Sequence, residues 1–121
     1  MGFFLTFDNE LALLKIVGDI TKDNIIQFQI KLSEVLALKY DTSTSDKELI
    51  KRFEIDFSQC KLINSQCVNS LLKFYQDFTK NKNEVEIIKC SEQIYELFMT
   101  LKLNQLISIN CDFPVIEIDN D

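Results

Sequence analysis

A chain of 121 residues, 46% of them hydrophobic and 26% charged, suffices for one domain with one core and needs no metal or disulfide to fold. Its net charge of −6, with lysines interleaved among acids, argues against binding nucleic-acid backbones or anionic membrane surfaces, both of which need a basic footprint. No apolar run approaches the roughly 18 residues of a membrane span and no signal peptide is visible, so the expected location is cytoplasmic, without direct membrane insertion.

Residues 3–7 (FFLTF) and 11–17 (LALLKIV) read as two strands around a turn at Asp8-Asn9, residue types that tolerate left-handed backbone. Gly18-Asp19-Ile20-Thr21 leaves the second strand, with Thr21 as a helix N-cap and Asp23 in the first turn. From Lys22 to about Lys39, Ile25, Phe28, Leu32, Val35 and Leu36 recur at helical spacing, and Ile26 and Ile30 would widen the buried stripe. Polar residues 40–48 form a loop, read as a solvated linker. Residues 53–57 (FEIDF) alternate as a strand, and a polar link through Ser58 and Cys60 then enters a second helix with Val68, Leu71, Leu72, Tyr75 and Phe78 on one side. Asn81-Lys82-Asn83 ends that helix, and 84–90 is the fourth strand. Ser91 caps a third helix carrying Ile94, Leu97, Phe98 and Leu101 and ending near Lys102. Residues 106–109 form a short last strand, and the acidic tail 111–121 either adds an edge strand or frays. The order β-β-α-β-α-β-α-β predicts an α/β fold with a mixed, mainly parallel sheet, one domain over residues 1–110.

In such a sheet, functional loops gather beyond the carboxyl ends of the strands. Here these are residues 18–24, residues 58–65, Cys90-Ser91 and the end of the last strand, and the first two hold nearly all the candidate polar groups. The chain has no histidine, which removes imidazole acid–base catalysis and most zinc sites. There is no base beside Ser65, and with two glycines in the whole chain there is no phosphate-cradling loop. The expectation is a protein that is not an enzyme and takes no cofactor. The four cysteines (Cys60, Cys67, Cys90, Cys111) contain no C-x-x-C pair and read as reduced, mostly buried thiols. Cys67 lies near a helix start, a position that lowers a thiol pKa. Ser65 stands where strand turns into helix, either as a functional serine or as a helix cap.

Three stretches carry a family resemblance: Gly18-Asp19-Ile20-Thr21 after a strand, Phe53-Glu54-Ile55-Asp56-Phe57-Ser58, and Asn64-Ser65-Gln66-Cys67 at the second helix. Together with Lys102-Leu103-Asn104-Gln105-Leu106-Ile107 before the last strand, they make the chain from Leu11 to Ile109 resemble the STAS domain family of sulfate transporters and anti-sigma factor antagonists. The corresponding family patterns are G-(E/D)-(L/I)-D, V-x-D-(L/F)-S, D-S-(S/T/A)-G and G-L-x-x-(L/I)-(F/I). Asn64 stands for the motif's Asp, Cys67 for its Gly, and Thr21 for the Asp of the first turn.

The resemblance implies that Ser65 is a phosphoacceptor and that the partner is an anti-sigma factor that is also a serine kinase. It places the partner surface on Asp19, Thr21 and Asn24 and on Asn64, Ser65, Gln66, Cys67 and Asn69. A second implied role is that of an unphosphorylated STAS subunit bound to the ATPase of a phospholipid-trafficking ABC transporter. A third, a carrier of nucleotides or lipids, is disfavoured by the scarcity of glycine and the acidic balance.

Overall fold

The computed structural model describes residues 2–39, 50–79 and 84–110. The expected loop at 40–48, the helix end at 81–83, Cys111 and the tail 111–121 lie outside the described residues. The elements run β1 (Gly2–Asp8), β2 (Leu11–Val17), α1 (Ile25–Lys39), β3 (Arg52–Gln59), α2 (Ser65–Phe78), β4 (Glu84–Lys89), α3 (Glu92–Thr100), a 3₁₀ turn (Leu103–Gln105) and β5 (Ser108–Ile109). The strands lie in sequence order in one five-stranded sheet. β1 is antiparallel to β2 and every other pair is parallel. The fold is α/β with a mixed, mainly parallel sheet, as the element order predicts.

The hairpin pairs Asp8 with Leu11, which leaves Asn9-Glu10 as a two-residue loop. Asn9 takes φ 55° there, so the turn sits one residue later than expected, on a residue type suited to left-handed backbone. Alternation then fixes the buried face. Ala12, Leu14 and Ile16 on β2 and Phe53, Ile55 and Phe57 on β3 are all fully buried. Pairing of Ala12 with Phe53 and of Leu14 with Ile55 puts both sets on one side. All three helices cover that side. Phe28 of α1 meets Phe3 with ring centroids 6.1 Å apart, Phe74 of α2 meets Phe53 at 4.8 Å, and Phe98 of α3 meets Phe57 at 5.7 Å. Edge-on and tilted ring pairs of this kind add about 1 kcal/mol each beyond their burial. On the opposite face Arg52 ion-pairs with Glu54, Glu84 and Glu86, joining β3 to β4.

Two expected core assignments change. Ile26 and Ile30 are 65% and 51% exposed, so the buried stripe of α1 is confined to Ile25, Phe28, Leu32 and Val35, with Leu36 partly buried. Leu101 is exposed and Leu103 is buried in its stead. The reason is local: Lys102 takes the left-handed conformation, φ 61°, ends α3 and turns Leu103 inward. Lys102 stands where the family pattern has glycine, which adopts that conformation at less cost. The last strand is correspondingly short, Ser108–Ile109, and Leu106 is half exposed.

Candidate functional site

The carboxyl ends of β2 and β3 lead into two loops that are tied to each other. Gly18, at φ 103°, turns the chain out of β2 in a conformation that suits glycine. Its N–H donates to the Gln59 carbonyl at 2.9 Å, and the Ile20 N–H donates to the Leu62 carbonyl at 2.9 Å. One carboxylate oxygen of Asp19 accepts from the backbone N–H groups of both Lys61 and Leu62, at 3.1 and 3.0 Å. Hydrogen bonds to a charged acceptor are stronger than neutral ones, so Asp19 acts as a clamp between the loops. The clamp holds Leu62, 62% exposed, out into solvent.

The start of α1 is a closed polar knot. The Thr21 hydroxyl accepts from the Asp23 N–H at 3.2 Å, the Asn24 side-chain carbonyl accepts from the Thr21 N–H at 2.8 Å, and the Asn24 amide donates to the Asp19 carbonyl at 2.8 Å. This reciprocal pattern has the logic of a capping box, with Asn in place of Glu or Gln. Thr21 opens the turn as expected, and regular helix begins at Ile25. Asn24 is 6% exposed and its side chain points into the knot, where it ties the loop together.

The start of α2 is built differently. Asn64 is the N-cap, with extended backbone (φ −92°, ψ 168°), and its side-chain oxygen accepts from the Cys67 N–H at 3.0 Å. Capping therefore falls to Asn64 and leaves Ser65 without that task. Ser65 is the first residue of the helix, is exposed, and forms no side-chain hydrogen bond among the described residues. Gln66 and Asn69 are exposed beside it, and the first turn carries no acid. The unpaired N–H groups of a helix start favour an anion there.

Cys67 is a correction to the expected contact surface. It is fully buried, because the third helical position faces the sheet together with Val68, Leu71 and Phe74. Burial pushes its thiol well above the ordinary range, and the neighbouring Cys60 adds to this. Cys60 is pushed up to about 11, first by burial and then by the charge of Asp19. Desolvation outweighs the helix start at both. Both thiols are fully buried beneath the surface of the site and are free cysteines. Among the described residues no three His, Cys, Asp or Glu side chains group as a metal site.

Thr21, Ser65, Gln66 and Asn69 thus form the exposed rim of the site, while Asp19, Asn24, Asn64 and Cys67 hold it from below or within. Sequence reasoning missed the clamp made by Asp19 and the exposure of Leu62 and Ile26. For Ile26 a signal existed, since it falls out of phase with the core spacing of Ile25, Phe28 and Leu32.

A one-sided α/β domain that presents polar helix starts beyond two parallel strands is the class of protein this architecture defines. The family model of the STAS domain matches residues 5–115, and the chain belongs to that family. Solved structures agree in fold. The unphosphorylated form of the anti-sigma factor antagonist SpoIIAA aligns with a TM-score of 0.72 at 12% identity, over 92% of this chain and 90% of that one. An anti-sigma factor antagonist from Mycobacterium paratuberculosis aligns with a TM-score of 0.74 at 11% identity, over 95% and 86%. The phosphorylated form of SpoIIAA from Bacillus aligns with a TM-score of 0.67 at 12% identity, over 92% and 93%. At these identities the likeness is one of fold. No curated protein sequence matches the chain. Among the described residues no helix is long and apolar enough to cross a membrane.

Proposed function

We propose that this STAS protein is a partner-switching regulator of the anti-sigma factor antagonist kind, controlled by phosphorylation of Ser65. The observation that carries this reading is the division of labour at α2: Asn64 caps the helix, so Ser65 is exposed and unengaged. The partner is a cytoplasmic anti-sigma factor that is also a serine kinase. It docks on the rim formed by Thr21, Ser65, Gln66 and Asn69. Catalysis belongs to the partner, which transfers the terminal phosphoryl group of ATP to the Ser65 oxygen: the bond to the β,γ-bridging oxygen breaks, ADP leaves, and the hydroxyl proton goes to the partner's base. A phosphoserine adds a charge of about −1.5 to −2 at neutral pH. The start of α2 accommodates that charge in the free protein, since its first turn holds no acid. A packed interface does not, so the same group is tolerated by the fold and releases the partner.

Binding of one partner by the Ser65→Ala and Ser65→Glu variants tests the switch. The reading expects Ser65→Ala to bind as the parent does and Ser65→Glu to bind at least about thirtyfold more weakly, the cost of roughly 2 kcal/mol for an unpaired charge in an interface. Equal binding by both variants rejects it.

The neutral Asn64 and Thr21, where the family has carboxylates, favour a second reading: a constitutive subunit of a transporter ATPase, bound without phosphorylation. That reading expects co-purification with a membrane complex and an association that Ser65→Ala leaves intact under conditions where no phosphate is found.

A further inference from the structure

β1 (Gly2–Asp8) is one outer edge of the sheet, and among the described residues no hydrogen bond reaches its outer side. Proteins blunt such edges with short strands, lysine, proline or a bulge. The opposite edge is short, the two residues of β5. β1 has none of these devices. Its seven residues, GFFLTFD, pair with β2 in unbroken register, and their one charge is Asp8 at the end.

The hairpin decides which backbone groups of β1 are spare. Asp8 and Leu11 close a two-residue loop and so bond to each other, and hydrogen-bonded positions alternate along the strand. Gly2, Phe4, Thr6 and Asp8 therefore turn their N–H and C=O groups toward β2, whereas Phe3, Leu5 and Phe7 turn theirs outward. The side chains of those last three point to the helix side, since they pair with Ile16, Leu14 and Ala12. Phe7 is nonetheless 46% exposed there, and Phe4 on the other face is 54% exposed.

The strand is complementary to itself. Laid antiparallel about a two-fold axis at Leu5, Leu5 faces its own copy, Phe3 faces Phe7, Phe4 faces Thr6 and Gly2 faces Asp8. Every outward N–H and C=O of Phe3, Leu5 and Phe7 then has a partner, because these positions meet only one another. The Phe3–Phe7 pairs give Phe7 an apolar neighbour on the helix side, and no two like charges stand opposite. We propose that β1 pairs in this register with β1 of a second copy, making one continuous sheet with all the helices on one face. The two copies of β2 then run in opposite directions, so the two Ser65 rims stand at opposite ends of the dimer. The inference does not depend on the reading of Ser65.

Sedimentation velocity of the full chain across the micromolar range is expected to show particles of two chains. Phe4→Lys with Thr6→Lys sets like charges opposite each other in this register, and so does Phe4→Glu with Thr6→Glu. Each double variant should need about tenfold or more protein to dimerise, and an equimolar mixture of the two should recover the parent's value. Both side chains are exposed, so circular dichroism of each variant should match the parent. In the parent, amide exchange at Phe3, Leu5 and Phe7 should slow about tenfold or more as the dimer forms, while exchange at Phe4 and Thr6, already bonded to β2, stays as it is. A parent that remains a single chain throughout that range overturns the proposal. So do double variants that dimerise as the parent does, which would place the dimer contact elsewhere. A mixture of folded variants that fails to recover overturns it as well, by excluding this register.

Discussion

Helices α2 and α3 begin in the same way. Each follows an extended residue whose side chain accepts from the backbone three residues on: Asn64 from the Cys67 N–H at 3.0 Å, Ser91 from the Ile94 N–H at 3.3 Å. In both, that third residue is buried, Cys67 in one and Ile94 in the other. At the first helical position α3 carries Glu92, whereas α2 carries Ser65 and no acid anywhere in its first turn. The start of α3 is thus complete as synthesised, with its negative charge at the positive end of the helix dipole. The start of α2 holds a hydroxyl at the equivalent place. A phosphoryl group on Ser65 would supply reversibly what Glu92 supplies permanently, and the comparison shows that the fold already uses an anion in that position.

The largest expected difference between the two starts lies beneath them. Burial raises the folded-state pKa of Cys67 above its unfolded value, so the neutral thiol stabilises the fold fully below about pH 8.5 and that contribution is lost as pH rises. In that range the unfolded chain binds fewer protons than the folded one, which gives stability a negative slope. Urea unfolding between about pH 8.5 and 10.5 should lose about 2 kcal/mol to this one thiol. Cys60 is shifted in the same direction and steepens the loss. Cys67→Ala should flatten the profile, while any change at Ile94, which does not titrate, should leave the slope as it is.

The caps come next in size. Asn64→Ala and Ser91→Ala should each cost about 1 kcal/mol in chemical denaturation. A cost at Ser91 but none at Asn64 would mean that α2 is capped by some other group, and Ser65 would no longer be spare.

At the far end of α3, Lys102→Gly should raise stability by about 0.5–1 kcal/mol by relieving the left-handed backbone. The smallest effect bears most on the comparison itself. Ser65→Glu should stabilise the fold by about 0.5 kcal/mol at low salt and Glu92→Ser should cost about as much, both fading as salt is added. A destabilising Ser65→Glu would show that α2 does not accept an anion.

Much of this was legible in the sequence. The element order, the buried stripe Ile25-Phe28-Leu32-Val35 and the Ser91 cap follow from residue period and type, because each depends on local chemistry alone. What was not legible depends on which of two adjacent candidates the backbone selects. Asn64 and Ser65 are both good caps, and only the extended conformation of Asn64 decides between them. Leu101 and Leu103 are both apolar, and the left-handed turn at Lys102 chooses Leu103. Asn24 and Cys67 read as contact residues from their place in the motif; tertiary packing ties the first into its loop and buries the second. The clamp from Asp19 to Lys61 and Leu62 spans over forty residues of sequence, and no local pattern announces a contact at that range.

Incubation of the chain with its cognate kinase and ATP, followed by mass spectrometry of the modified peptides, tests the central claim most directly. One phosphate, on Ser65, is expected, together with loss of the partner when it is present. Phosphate on another residue, or none despite tight binding, would contradict it.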